Sequence, residues 1–509
     1  MLSRISSFGL RGAEGYPVMV EFDLANGLPG FTMVGLPDTA VRESRERVFA
    51  AVRNSGYQFP QRRITVNLAP AQSKKQGSHF DLPIALAALA ASGQLPGEEW
   101  VRRFCFVGEL ALDGNLRPVR GILAMAAKAK ELGFDGIIVP RDNAPEAAAT
   151  GLVAYGAGTL RGVAEFLSGD SRASLPASAG PSATPEAGPE SDFSDVRGQA
   201  LAKRALEIAA AGGHHALLVG PPGSGKSMLA RRLETILPEL TLEEAMEVTR
   251  IHSLSQDRHG AGLVTRRPFR APHHGASPVA LIGGGQLARP GEVSLAHNGI
   301  LFLDELAEFD RQALESLRQP LEEGKVVIAR ARETVEYAAR FSLVAACNLC
   351  PCGWKGHPAR PCVCTPQALG RYQSRLSGPL LDRIDIQVEV SPLPFEQWAG
   401  GGPGEEEGSR LIMERVKRAR QVQRERSAAA GCLVNAHIPA RDLRRLCAVD
   451  AAGLKLLGEA TRKLGLSARS LDRVLRVART IADLEGGPGV AARHLGEAMQ
   501  YRSLERLRP

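Results

Sequence analysis

No apolar run in this 509-residue chain is long enough to cross a bilayer: the clean runs, such as Ile84 to Ala91, fall far short of the ~20 residues a spanning helix needs. The opening stretch MLSRISSFGLRGAEG also lacks the apolar segment of a secretory signal, so a cytoplasmic location and no membrane partner are expected. Cysteine is sparse as well, eight in all with four of them within fifteen residues, which argues against a disulfide scaffold and for a metal at the clustered thiols. Residues 168–192 have no large apolar side chain apart from Leu175 and are dominated by Ser, Ala, Pro and Gly. Such a stretch buries too little surface to offset its ordering entropy, so it reads as a flexible linker. Elsewhere the chain is 44% hydrophobic, ample for two to four domains. Its formal net charge of +8 permits a polyanionic partner without selecting one.

The linker divides an N-terminal domain, 1–167, from the rest of the chain. In that domain strand-like runs (Val18 to Phe22, Phe31 to Val34, Ile64 to Leu68, Phe104 to Val107, Gly136 to Val139) alternate with helical ones (Asp38 to Ser55, capped by Asp38, then Asp81 to Ser92 and Ile122 to Leu132), a mixed α/β pattern. Residues 193–395 form a second α/β domain. After a Gly- and Glu-rich break, residues 396–509 read as an all-helical tail, with helices near Ala440 to Ala448, Ala451 to Leu464, Ser470 to Leu484 and Ala491 to Tyr501.

The second domain carries the strongest signal. Leu217, Leu218 and Val219 form a short apolar strand that ends in Gly220-Pro221-Pro222-Gly223-Ser224-Gly225-Lys226-Ser227, a full match to the phosphate-binding loop G-x-x-x-x-G-K-[ST]. Glycines let backbone N–H groups curl around a polyphosphate, Lys226 reaches the β- and γ-phosphates, and Ser227 ligates Mg²⁺. The helix expected from Lys226 adds its positive N-terminal dipole. ATP and Mg²⁺ are therefore the expected ligands.

Downstream, Ile300-Leu-Phe-Leu-Asp304-Glu305 is an apolar strand ending in two acids: Asp304 for the Mg²⁺ shell and Glu305 to polarise the attacking water. A further buried strand, Phe341 to Cys347, ends in Asn348, an amide able to hydrogen-bond the γ-phosphate or that water. Arg383, within LLDRID, is a candidate finger across a subunit boundary, and Arg469 at a helix start is a candidate nucleotide sensor, with Arg473 as runner-up. Cys350-Pro-Cys352 and Cys362-Val-Cys364 supply four thiolates for a closed tetrahedral Zn²⁺ site of structural kind, with His357 in reserve. Gly353 would supply the freedom a tight metal turn requires. Cys105, Cys347, Cys432 and Cys447 read as buried small hydrophobes. The adjacent His273 and His274 read as packing or subunit-contact residues, since neighbours in sequence rarely chelate one ion together.

The strings GPPGSGKS, RPFRAPHH (Arg267 to His274), PGEVSLAHNGILFLDEL (Pro290 to Leu306), the CPCG and CVC block, and RYQSRLSGPLLDRIDI (Arg371 to Ile386) resemble the ComM/YifB group of magnesium-chelatase-like AAA+ ATPases over nearly the whole chain. The resemblance implies a Lon-like N-terminal domain (ribosomal S5 domain 2-like), a P-loop AAA+ α/β core, a C-terminal helical lid, and a homo-oligomer, a hexameric ring. It further implies a DNA motor that drives branch migration during natural transformation, with single-stranded or branched DNA as partner. It also places two hairpins: one around the Gly-rich turn of Ala280 to Leu295, carrying Arg289, and one over Lys325 to Tyr337, with Arg330 and Arg332 at its tip. These three arginines are the expected DNA contacts, suited to gripping phosphates without reading sequence.

In the N-terminal domain, Val66 to Ala85 and Gly108 to Gly121 look like the Lon protease domain. Laid on that pattern, the nucleophile position falls at His79 or Phe80, with Ser78 close by, and the lysine position near Leu123. A serine nucleophile without its lysine cannot be activated in that way, so a non-proteolytic scaffold is expected. Arg42, Arg45, Arg47, Arg53, Arg62, Arg63, Lys74 and Lys75 offer a possible DNA surface or an ordinary solvated face. A DNA motor is the leading expectation. A chelatase-like ATPase remodelling a protein partner is the alternative, and an ATP-dependent protease is disfavoured.

Overall fold

The computed structural model describes residues 1–95, 100, 103–169, 175–178, 191–255, 262–285, 288–329, 334–357, 359–375, 378–393, 406–427, 431–464 and 467–502. No helix among the described residues is long and apolar enough to cross a membrane. The chain divides into two compact units, Met1–Glu186 with Thr241–Thr265 and Ala329–Tyr337, and Ala187–Leu240 with Arg266–Ile328 and Ala338–Pro509.

In the first unit the strand Leu2–Arg11 pairs antiparallel with Glu14–Ala25, which pairs antiparallel with Arg63–Ala69; Gly30–Val34 then joins Arg63–Ala69 in parallel. Burial alternates along Arg63–Ala69, with Ile64, Val66 and Leu68 inside, as a sheet covered on one face requires. The helix Asp81–Ala91 is apolar on nearly every side and wholly buried along Leu82 to Leu89, which makes it a core helix rather than an amphipathic one. The Ser3 hydroxyl donates to the Ala87 carbonyl at 2.7 Å and ties this helix to the first strand. A second sheet runs Phe104–Phe106, Gly136–Pro140 and Val153–Ala157 in parallel.

Three expectations for this unit change. The single helix from Asp38 is two, Thr39–Arg42 and Ser44–Asn54; Asp38 does cap the first, accepting from the Val41 N–H at 2.8 Å, but at the break the Ser44 hydroxyl bonds the Val41 carbonyl. Inside the expected linker, Ala177–Ser178 is a strand paired with Ala154 and Tyr155, because edge pairing needs backbone groups and no large side chain. The basic face loses two members: Arg47 bonds both oxygens of buried Asp81 at 2.6 and 3.0 Å, and Lys75 is fully buried with its ammonium on the Pro70 and Ser73 carbonyls.

The second unit is built on a five-stranded parallel sheet. In space the order is Phe269–Arg270, Ile300–Leu303, Ser342–Cys347, Ala216–Val219, Ile386–Glu389. Numbered along the chain, that order reads 2-3-4-1-5. The first strand therefore lies between the fourth and the fifth, and ligands in open parallel sheets bind at the carboxyl ends beside such a reversal. The helical tail (Ser409–Ser427, Ala440–Leu446, Ala451–Leu464, Ala468–Leu484, Ala492–Gln500) belongs to this same unit.

A buried polar network joins tail to sheet. Asp385 lies 3.4 Å from His214 Nδ1, accepts from the His215 N–H at 3.3 Å and from Arg473 at 3.2 Å, while His214 Nε2 meets the Thr480 hydroxyl at 2.8 Å. Burial by itself would raise the Asp385 pKa, but the hydrogen bond and charge of His214, with Arg473 and His215, outweigh it and hold the carboxyl well below the usual range. A depressed folded-state pKa contributes stability that is full above the unfolded value of about 4 and is lost as the pH falls toward the folded one. Asp385→Asn should accordingly cost about 3 kcal/mol at pH 7, because it leaves half-buried Arg473 without its buried counter-charge. The gap to wild type, measured by chemical denaturation, should narrow below about pH 4.

Candidate nucleotide site

The strand Ala216–Val219 is buried at every residue, and its last residue pairs with Cys347 on one side and Glu389 on the other. Gly220 follows directly, and a Cβ there would stand 2.2 Å from the Val390 carbonyl oxygen, so only glycine lets the loop leave the sheet at this point. The helix Lys226–Arg232 begins at the loop's end, as the motif requires. Lys226 is largely buried, and its ammonium donates to the Gly220 and Pro221 carbonyls at 2.8 and 2.9 Å and to Asn348 Oδ1 at 3.2 Å. Burial lowers its pKa, an effect partly offset by Cys347 and Asp304.

The Ser227 hydroxyl donates to Asp304 Oδ2 at 2.6 Å. That contact brings together the two oxygens expected to share a divalent cation, one from the helix start and one from the end of Ile300–Leu303. Glu305 comes next, at φ +53°, a left-handed conformation unusual for a side chain of this kind; its N–H donates to Asp304 Oδ1 at 2.9 Å. Its carboxylate lies 3.3 Å from His274 Nδ1. Asn348 ends the central strand, its own carbonyl accepting from the Tyr372 hydroxyl at 3.2 Å. Lys226, Ser227, Asp304, Glu305 and Asn348 thus lie at or just past the carboxyl ends of three adjacent strands.

The arginines are placed differently. Arg383, expected to reach a neighbouring subunit, is only 8% exposed and forms an ion pair with Glu322 of its own chain. Arg473 is committed to Asp385. Arg469 is exposed at the second residue of the helix Ala468–Leu484. Around the Gly-rich turn, Gly283–Gly284 and Arg289–Pro290 do pair as a short antiparallel hairpin, but Ala280 to Ile282, expected as a strand arm, belong to a helix, Pro278–Ile282. Ser277 caps that helix and Pro278 opens it, a start signal that outweighs the strand-like composition. Arg330 and Arg332 lie outside the described residues.

The four cysteines converge. Cys350 and Cys352 sulfurs are 3.4 Å apart, Cys352–Cys362 and Cys362–Cys350 both 3.7 Å, and all four lie within 4.8 Å of one another. Tetrahedral Zn–S bonds of about 2.3 Å place sulfurs about 3.8 Å apart, so the donor set fits a closed metal site. The Trp354 backbone N–H, the largest influence on Cys352, draws its pKa down to about 6, whereas burial pushes Cys350 up. His357, held in reserve as a ligand, instead accepts from the Ala359 and Arg360 N–H groups at Nδ1, both at 3.1 Å. Gly353, at φ +81°, brings this turn against the phosphate loop: a Cβ there would meet Pro222 Cγ at 2.7 Å.

Comparison with known proteins agrees with this architecture. Residues 192–398 match the family described as magnesium chelatase, subunit ChlI; 20–143 match subunit ChlI of Mg-chelatase, and 406–502 its C-terminal region. The chain is 45% identical over 508 residues to the uncharacterized protein YifB of Salmonella typhimurium, covering 97% of this chain and 96% of that one. It is 44% identical to the competence protein ComM of Haemophilus influenzae, covering 99% and 98%. The chain belongs to the ComM/YifB family of magnesium-chelatase-like AAA+ ATPases. A more distant likeness, 31% over 156 residues, joins this ComM/YifB family member to the magnesium-chelatase 67 kDa subunit of Chlorobaculum parvum, covering 30% of this chain and 22% of that one.

Sequence reasoning overlooked two contributors in this ComM/YifB site, Tyr372 behind Asn348 and the approach of His274 to Glu305. For Gly353 it read the left-handed turn from the glycine beside C-x-C but not the approach to Pro222. Gly353→Ala should impose about 1–2 kcal/mol of backbone strain. The added Cβ would also press on Pro222 Cγ at 2.7 Å, and the resulting displacement of the phosphate loop should weaken ATP binding about 5- to 30-fold, as measured by titration with a fluorescent ATP analogue.

Proposed function

We propose that this chain is the subunit of a ring, a hexamer, that uses ATP hydrolysis to move along single-stranded or branched DNA and to remodel recombination intermediates. The observation that carries the ATPase part is the 2.6 Å Ser227–Asp304 contact beside the Lys226–Asn348 hydrogen bond. The DNA part is supported by the near full-length likeness to a protein named for competence and by the net charge of +8.

In this reading the backbone N–H groups of Gly223 to Ser227 and the Lys226 ammonium cradle the phosphates. Ser227 and Asp304 would hold Mg²⁺, which supplies Lewis-acid neutralisation of phosphate charge. Glu305 orients and polarises the attacking water, and Asn348, within reach of Lys226, reports the γ-phosphate to the strand end. Arg383 would have to release Glu322 to act across a subunit boundary, whereas exposed Arg469 needs no such release. The four cysteines would hold Zn²⁺ as a staple beside the phosphate loop.

The N-terminal unit is taken as a Lon-like scaffold without protease chemistry. His79 is buried, Leu123, near which the lysine position falls, lies inside a helix, and the Ser78 hydroxyl is bonded to Glu109. Arg289, Arg330 and Arg332 are the proposed DNA contacts. A chelatase-like motor acting on a protein partner is the second reading, favoured by the matches to the chelatase subunit.

Lys226→Ala should abolish nucleotide binding, and Glu305→Gln should bind ATP but retain it unhydrolysed; normal turnover in the latter would remove Glu305 from the water's side. ATP-dependent strand exchange on a synthetic Holliday junction separates the two readings: a DNA motor advances the junction, and a protein remodeller hydrolyses ATP without response to nucleic acid. Replacing Arg330 and Arg332 together by alanine should lower the salt dependence of DNA affinity by about one unit of slope per lost phosphate contact. An unchanged slope would move the DNA path elsewhere.

A further inference from the structure

The chain's excess of positive charge is not spread over the molecule. Residues 409–502 hold 19 Lys and Arg against nine Asp and Glu, a net charge of +10, whereas the whole chain carries +8, so everything outside the helical tail is slightly acidic in sum. Part of the excess is used internally: Arg426 and Arg479 share buried Asp483, Arg473 bonds Asp385, and Arg420 and Arg476 donate to the Ala210 and Ile438 carbonyls. Other cations of the tail stand at the surface, and on the helix Ala451–Leu464 they form a line.

Along that helix Gly453, Leu457 and Ala460 are buried, and Ala451, Lys455, Gly458 and Arg462 are exposed. At 3.6 residues per turn the four exposed positions fall within about 60° of one another, and the three buried ones lie on the opposite side. The result is a single stripe that alternates a small residue with a long cation. A Cβ at Gly458 would meet no atom within 4 Å, so the helix backbone between the two cations is open to an incoming chain. Among the described residues Lys455 makes no ion pair, and Arg462 bonds only the Gly458 carbonyl, at 3.3 Å. The two cations stand about 10 Å apart along the helix axis, close to three 3.4 Å steps of a DNA strand. No aromatic or amide side chain interrupts the stripe, so it offers charge to phosphates and nothing to base edges.

We propose that this stripe is a DNA-backbone contact: Lys455 and Arg462 neutralise phosphates, while Ala451 and Gly458 let the strand lie close against the helix. This rests on the reading of the chain as a DNA motor and adds a grip on the helical tail to the one assigned to Arg289, Arg330 and Arg332. Cations serving solubility alone have no reason to gather in one region while the remainder of the chain stays acidic. A glycine inside an exposed helix weakens that helix, and close approach of another backbone is what its missing side chain permits. Contact of this kind is independent of sequence and weakens steeply with salt, because each neutralised phosphate releases counterions.

The test uses the full chain and a fluorescein-labelled single strand of mixed sequence, with affinity read by anisotropy between about 50 and about 200 mM salt. Lys455→Ala combined with Arg462→Ala should weaken binding about 10-fold and lower the slope of log affinity against log salt by about 0.7 for each lost phosphate contact, with ATP affinity within about twofold of wild type. Gly458→Glu sets an acid between the two cations, at a position with open space and with a better helix former than glycine, so the fold is kept and binding should fall at least as far. Arg103→Ala combined with Arg161→Ala removes the same charge from exposed positions of the first unit and should leave the slope at its wild-type value. Unchanged affinity and slope on loss of Lys455 and Arg462, unaffected binding by Gly458→Glu, or an equal loss in the Arg103 and Arg161 control overturns the proposal. A wild-type chain that binds no DNA at the lowest salt overturns the DNA reading itself and the stripe with it, which keeps that failure apart from the others.

Discussion

Parallel register is the constraint on which the nucleotide site depends. Val219 pairs with Cys347, and Leu303 with Ala345. The phosphate loop, the Asp304–Glu305 pair and Asn348 must therefore emerge from one edge of one sheet. No loop has to search for its partner. The bond from Ser227 to Asp304 is a consequence of that alignment: the helix after the loop and the strand two places away present their oxygens to the same point. The glycine at position 220 is the condition for it, since the loop leaves its strand against the Val390 carbonyl with no room for a side chain.

Around this edge the chain has placed groups that hold other groups. Tyr372 bonds the Asn348 carbonyl, His273 steadies His274, and the four-cysteine turn lies against Pro222. A site that hydrolyses a strong phosphoanhydride by positioning and electrostatics needs its reacting partners fixed more than it needs additional reactive groups. Exposed side chains such as Glu305 are where that fixing has to come from neighbours and not from packing.

How much of this was legible in the sequence depends on the range over which each feature is specified. The phosphate loop, the acidic strand end and Asn348 are local strings whose spacing carries their chemistry, and the helices of the tail announce themselves by periodicity and, for the helix Ala468–Leu484, by the Ser467 cap. The strand Leu2–Arg11 was not anticipated: Ser3, Ser6, Ser7 and Gly9 interrupt its apolar alternation, and what makes it a strand is pairing with Glu14–Ala25. The burial of Arg383 depends on Glu322, sixty-one positions away, and the company of His274 depends on strand register. Contacts of that kind are decided by tertiary structure, and a motif cannot state them.

The attachment of the helical tail has a mechanical meaning. Arg420 donates twice to the Ala210 carbonyl and Gln423 once to that of Ala211, closing the carboxyl end of the helix Ala200–Gly212, while Arg415 and Arg204 add ion pairs along the same helix to Glu207 and Glu497. Together with Arg473 on Asp385, these clamps join the tail to both the helix that precedes the first strand and the residue that precedes the fifth. Partly or wholly buried guanidinium contacts are costly to open one at a time and far costlier together. A region riveted at so many points is hard to bend away from the sheet, so the tail and the strands it clasps are built to move as one piece.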